Sequence, residues 1–545
     1  GFQTLFANTT GQYNVGMGYE ALLQNTIGER NVGVGYQVLR SNTTGVRNVA
    51  IGPSALYSNN IGQKNVAIGN SAMYSNTTGI RNVAIGNDVL VFNTTGQKNV
   101  AIGDTSMYQN TGGINNVAVG SEALKDNTTG NNNVAIGLEC LKSNTTGIRN
   151  VAIGTTALRT NTIGTKNIAM GDSSLFSNTT GTENIALGDA AMYQNITGEK
   201  NLAVGSAALV NNTTGSFNVA LSYQSLYSNT TGQFNVGIGY QTLYSNTTGQ
   251  RNVAMGYQSL KDNTIGTDNI ALGDNALTNN TTGQQNIAIG RDAMQKNTTG
   301  IRNVAMGASA LRDGVSAINN TAVGWSALLS NTTGEQNVAV GSAALTAATT
   351  GTKNTAIGYR TLLANTSGSF NTAIGTDALK DLTIGVRNIA VGYQAAQNLT
   401  TGNENIAIGF DALATSTTGF GNIAIGTNAA TNAASGSNCI TIGDDAANST
   451  TTISNEITLG NSSITTLRTA GNILPFVDDS KDLGSASLRW ANVYTGDIHL
   501  SNKGKKTGNK VDGTTGDWTI QEGDDSLFIL NNKNGKKYRF KLEEM

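Results

Sequence analysis

The sequence predicts an all-β protein: a parallel β-solenoid wound in coils of 17 residues, followed by a small β-rich C-terminal domain. Three observations predict it. A glycine recurs every 17 residues from Gly18 through Gly35, Gly52 and Gly69 to Gly443 and Gly460, with one lapse at Ser222. Glycine reaches 67 of 545 residues while only Pro53 and Pro475 interrupt the chain, so the glycine is positional and the backbone is free to pair continuously. Each period also carries Val-Ala-Ile or a close variant, with large apolar residues two apart as in a strand, and is too short for two helices. Equal length is a stacking requirement, because one inserted residue would turn every later side chain off its face.

Residues 65–81 show the elements of one coil in order. Val66 and Ile68 alternate with Ala67, so a strand places the first two on one face and Ala67 on the other. The expectation is that Val66 and Ile68 close a thin core with Met73, a position that is usually Leu elsewhere. The middle residue would then form an outward file of Ala or Gly, including Ala50, Ala67, Ala84 and Ala101. Such a file suits close packing by a neighbouring chain, and a homotrimer is expected from it. Asn65 precedes the strand and belongs to a file through Asn14, Asn31, Asn48, Asn65, Asn82 and Asn99. Stacked amides one coil apart can hydrogen-bond along the axis as a structural ladder.

A second file, Asn25, Asn42, Asn59, Asn76, Asn93 and Asn110, heads the Asn-Thr-Thr-Gly turn and frays at Gly314, Ala348, Leu382 and Leu399. Gly69 and Gly79 are expected to supply the positive φ of the turns. Near the end Cys439 and Glu456 replace the first Asn and Thr replaces the middle Ala, as in terminal coils that close an array. These readings divide the chain into a shaft, 1–460, and a C-terminal β-rich cap or tip, 461–545. With coils about 4.8 Å apart, the shaft would be on the order of 130 Å long.

In the second part, residues 527–530 and 538–542 flank Asn534-Gly535 and read as a hairpin. Lys503, Lys505, Lys506 and Lys510 form a basic loop expected to be solvated. Trp490, Tyr494 and Trp518 are the candidate receptor contacts.

Charge and composition narrow the function. The chain has 34 basic and 35 acidic residues and is 13% charged, so it carries no global footprint for nucleic acid. His499 is the sole histidine, and Cys140 and Cys439 lie in remote coils, which argues against a nucleophilic triad, a zinc site or a disulfide. Carboxylates such as Asp88, Asp104, Glu122, Asp126 and Asp172 are scattered, and the unbroken period leaves no loop insertions to wall a catalytic groove. No enzyme activity, cofactor or metal is expected. No apolar run is long enough for a membrane helix, so no membrane insertion is expected. The chain opens at Gly1, partway through a repeat and without an initiator Met, and reads as a piece whose upstream part lies elsewhere.

Two surface files stand out. Aromatic residues often follow the repeat glycine, as at Tyr19, Tyr36, Tyr223, Tyr240 and Tyr257. They are expected to stack on each other between coils, and sugar stacking is the functional alternative. Basic residues recur before the Asn file at Arg30, Arg47, Lys64, Arg81, Lys98 and Arg149, with acidic and neutral interruptions that argue against a nucleic-acid stripe.

At Asn-Val-Ala-Ile-Gly the shaft resembles the head repeats of YadA-like trimeric adhesins, which carry a similar Ser-Val-Ala-Ile-Gly strand in a shorter period. The resemblance implies a left-handed parallel β-roll, trimerised side by side. Asp482-Leu483-Gly484-Ser485 and Arg489-Trp490-Ala491-Asn492-Val493-Tyr494 resemble instead the end region of tailed-phage fibres, including marine ones. The charged final residues, Lys541 to Met545, differ from the membrane-spanning barrel anchor of an autotransporter. Together these imply a virion tail fibre, extracellular, with other virion tail proteins and a host-surface polysaccharide or protein as partners. A bacterial cell-surface trimeric adhesin or extracellular filament is the alternative.

Overall fold

A computed structural model describes residues 1–477, 482–502 and 511–540. It contains strands and turns, with no helix among the described residues. Two compact units emerge, Gly1–Asn461 and Ser462–Met545.

The first unit is a parallel β-solenoid. One three-residue strand per coil, from Val15–Met17 to Ile457–Leu459, builds a single 27-stranded sheet. Each strand pairs in register with the strand one period away, Ala67 opposite Ala84 and Ile68 opposite Ile85. The strict period in the sequence is this register: residue i stacks on residue i+17.

The faces of the strand are the reverse of the sequence expectation. Ala50, Ala67, Ala84 and Ala101 are fully buried inside the coil, whereas the flanking Val and Ile point outward and remain partly exposed. In every strand but the first and last, the middle residue is the buried one. The small-residue file therefore cannot pack a neighbouring chain. Most coils already close on Leu or Met at the position of Met73, on a smaller residue, usually Ala or Ser, at that of Ala72, and on two asparagines, nearly all without solvent access. A methyl group is what the remaining space holds. Asn65 and Ala67 are two apart and share a face, so a buried Asn ladder places Ala67 inside with it.

The rest of the coil is a chain of turns. Gly69 has φ 132°, and Ser71, Met73 and Arg81 have φ 52°, 55° and 60°, a triplet of left-handed non-glycine residues repeated along the shaft. Each costs about 1 kcal/mol or more relative to an ordinary conformation. The offset comes from pairing with both neighbouring coils. Ser71 N–H donates to Pro53 O (2.9 Å) one way and Met73 N–H to Val89 O (2.9 Å) the other, while Thr77, Thr78 and Gly79 N–H all aim at Thr94 O.

Gly79 plays a different part from the one expected. Its φ is not left-handed, but a Cβ there would come within 2.5 Å of Gly96 O and closer still to Asn76 Oδ1. Space for the second Asn file requires it. Near the end, Cys439 N–H still donates to Asn422 Oδ1 (3.0 Å), and buried Thr441 donates to Asn448 Oδ1 (2.6 Å).

The second unit contains a four-stranded antiparallel sheet, Asp497–Ser501, Asp517–Gly523, Ser526–Asn531 and Lys537–Arg539. The last two strands form a hairpin with Ile529 opposite Tyr538, and Gly535 takes φ 69° in its turn. Residues 541–545, which include the end of the expected strand, and the lysines at 503, 505, 506 and 510 lie outside the described residues.

Candidate functional site

The coil positions three kinds of repeated side chain: an internal amide ladder, an outward apolar face and charged or aromatic edge files. In the ladder, Asn31 Nδ2 donates to Asn14 Oδ1 (3.2 Å) and to Gly45 O (2.8 Å), and Asn31 N–H donates to the same Asn14 oxygen (3.0 Å). The unit recurs through Asn48, Asn65, Asn82 and Asn99. Each amide satisfies itself, a backbone N–H and a carbonyl, so the file is a buried polar spine.

The second file is a parallel spine, with Asn76 Nδ2 donating to Asn59 Oδ1 (2.7 Å). It breaks where the sequence frays. Asn297 Oδ1 and Asn331 Oδ1 have no hydrogen-bond partner, and neither amide atom of Asn365 has one, since Ala348 and Leu382 occupy the coils beside it.

The outward face is two columns of mostly Val, Ile, Met and Leu, for example Ile136 (39% exposed) and Met170 (43%), with Thr at 321, 355 and 372. Beside it, rings stack between coils. Tyr19 and Tyr36 lie 5.3 Å apart, Tyr240 and Tyr257 5.3 Å, and Tyr393 and Phe410 5.2 Å, all nearly parallel. Ring faces turned to each other are not free for sugars.

Some charged groups on the coil are paired. Lys142 bridges Glu122 and Glu139, and Arg159 continues to Glu139 (2.7 Å). Hydrogen bonds from Lys142 and then Lys125 hold the Glu122 carboxyl below its usual range, and those from Lys142 and then Arg159 do the same for Glu139. In the later part of the column before the Asn ladder, three cations pair along the axis, Lys166 with Glu183, Arg251 with Asp268 and Arg387 with Glu404.

In the second unit the three candidate aromatics occupy separate environments. Trp490 lies over Gly484, where a Cβ would meet its ring at 3.3 Å, in a turn closed by Ser485 N–H donating to Leu488 O (2.9 Å). Tyr494 is 93% exposed. Trp518 tilts against Tyr538 at 5.8 Å. Among the described residues no ring contact joins the three. His499 ties two strands, its Nε2 2.9 Å from Asp517 Oδ1 and its Nδ1 3.0 Å from Thr519 Oγ1.

Among the described residues no group of three or more His, Cys, Asp or Glu is placed to hold a metal ion, and no helix is long and apolar enough to cross a membrane. Comparison with known families, characterised proteins and solved structures finds no match to this chain.

Proposed function

We propose that this chain is a protomer of a homotrimeric structural and adhesive fibre of a tailed phage, in which the solenoid is the shaft and the second unit serves host attachment. The observation that carries the reading is the long apolar face of the solenoid, interrupted in one column only at Thr321, Thr355 and Thr372. Two apolar columns, each side chain about one-third exposed, amount over the 27 strands to roughly 2,000 Å² or more on one face. Monomers rarely leave more than a few hundred Å² of contiguous apolar surface uncovered, and a stable interface needs about 800 Å² per partner. A rotation axis parallel to the stacking direction of the coils sets this face of each chain against its copies, coil matched to coil, and leaves the edge files at the rim. The interface thus moves from the Ala file to the Val and Ile columns.

The threefold order and the left hand of the coil rest on the resemblance to YadA-like head repeats. The virion assignment rests on the motif around Trp490. The proposed role is structural and adhesive, with no catalysis.

The test is the native mass. Mass photometry of the purified chain is expected to give three times 56.4 kDa, and Ile136→Lys with Met170→Lys to give monomers of unchanged circular dichroism. A monomeric wild-type chain would overturn the reading.

A further inference from the structure

The first coils carry a charge pattern that the shaft does not need. Arg30, Arg47, Lys64, Arg81 and Lys98 occupy one column in five successive coils, and all five side chains are exposed. Successive strands lie about 4.8 Å apart, so the five charges line up over roughly 20 Å. At that spacing, well inside the Debye length, they repel one another. Residues 30–98 hold six basic residues (these five and Arg40) and one acidic residue, Asp88, a net of +5 in a chain whose overall charge is −1.

Three further observations separate this stripe from an ordinary solvated edge. In later coils the same column never again holds more than two cations in succession: neutral and acidic residues interrupt it, Lys166, Arg251 and Arg387 pair along the axis with Glu183, Asp268 and Glu404, and Arg149, Lys200, Arg302 and Lys353 are spread among them. None of the five early cations has a salt-bridge partner among the described residues, whereas Arg40, in the same coils but another column, is paired with Glu20 at 2.7 Å. The backbone here is left-handed, φ 55–62°, a conformation that favours Asn or Gly over a long side chain. Turn chemistry therefore does not select Arg or Lys.

We infer that this column is a binding stripe for a linear acidic polysaccharide, a glycan bearing a carboxylate or sulfate on successive sugars. A straight row of evenly spaced cations matches an extended polymer whose charges also repeat along a line. Gln63 and Gln97, in the adjoining column and in reach of solvent, offer amides to sugar hydroxyls. Single-stranded nucleic acid fits less well because its binders present rings on which bases stack. The ring here is Tyr13, already covered by the Arg30 guanidinium at 5.6 Å. The carboxylate beside the stripe is Glu29, next to Arg30 at its first coil.

The stripe is complete within one chain, so its test is independent of the assembly state. Binding of the full chain to polygalacturonate is measured by biolayer interferometry from about 50 to 200 mM NaCl. Affinity is expected to fall with salt, and Arg47→Gln, Lys64→Gln and Arg81→Gln combined are expected to weaken binding at least about tenfold and flatten the log–log salt slope by about 2. A variant losing three cations elsewhere, Arg251→Gln, Arg302→Gln and Arg387→Gln, is expected to bind as wild type. Circular dichroism checks that both variants keep the coil. No binding at the lowest salt, or equal weakening in the two variants, overturns the stripe. Tighter binding of oligo(dT) than of polygalacturonate overturns the polysaccharide assignment.

Discussion

Cutting one rung of the first Asn ladder measures what the buried spine contributes. Asn150 Oδ1 accepts from Asn167 N–H (3.0 Å) and Asn167 Nδ2 (3.3 Å), and Asn150 Nδ2 donates to Asn133 Oδ1 (3.2 Å) and Gly164 O (2.9 Å). After Asn150→Ala, Asn167 Nδ2 keeps Gly181 O and Gly164 O keeps Asn161 Nδ2, but Asn167 N–H is left buried with no acceptor. An orphaned buried donor costs about 1–3 kcal/mol, and the lost side-chain bonds and small void bring the total to roughly 3 kcal/mol. In a one-dimensional array that loss is local, so global melting is the wrong assay. Hydrogen exchange is the right one: about 3 kcal/mol corresponds to roughly 10²-fold faster exchange in peptides covering residues 150–184, with remote coils unchanged. Asn331→Ala supplies the comparison. Its Oδ1 has no partner, and Gly334 O keeps the Asn320 amide, so the cost there is about 1 kcal/mol or less. Equal effects of the two substitutions, or unchanged protection around Asn167, would refute the assignment of stability to the ladder.

Three more outcomes follow from the same packing. Asn365→Leu removes two unpartnered buried amide atoms and extends the apolar file that Leu382 and Leu399 already form, so slower local exchange is expected, by about 1 kcal/mol; faster exchange would count against it. Gly164→Ala is expected to open its coil although the backbone angle suits alanine, because a Cβ would meet Gly181 O at 2.5 Å and Asn161 Oδ1 closer still; a variant with native protection would show the space to be adjustable. Burial pushes the Cys140 thiol up to about 11. Together with its lack of solvent access, that predicts no alkylation by iodoacetamide at pH 8 in the folded chain and prompt labelling after denaturation. Labelling of the native protein at Cys140 would contradict the packing.

The sequence by itself determined the period, the parallel register, the amide ladder and the places where the second Asn file breaks. All of these are consequences of stacking residue i on residue i+17, and a repeat displays them one position at a time. It did not settle which strand face lies inside. Three alternating residues, large-small-large, fit either orientation, and hydrophobicity favoured Val66 and Ile68 as core. Only the closed coil shows that Met73 and two asparagines consume the interior and leave room for Ala67 alone. The left-handed Ser71, Met73 and Arg81 were equally invisible, because hydrogen bonds to the neighbouring coils, rather than local preference, hold them there. The pairing of the edge charges too was decided in three dimensions, since a column brings residues 17 apart into contact, Lys166 with Glu183 and Arg251 with Asp268.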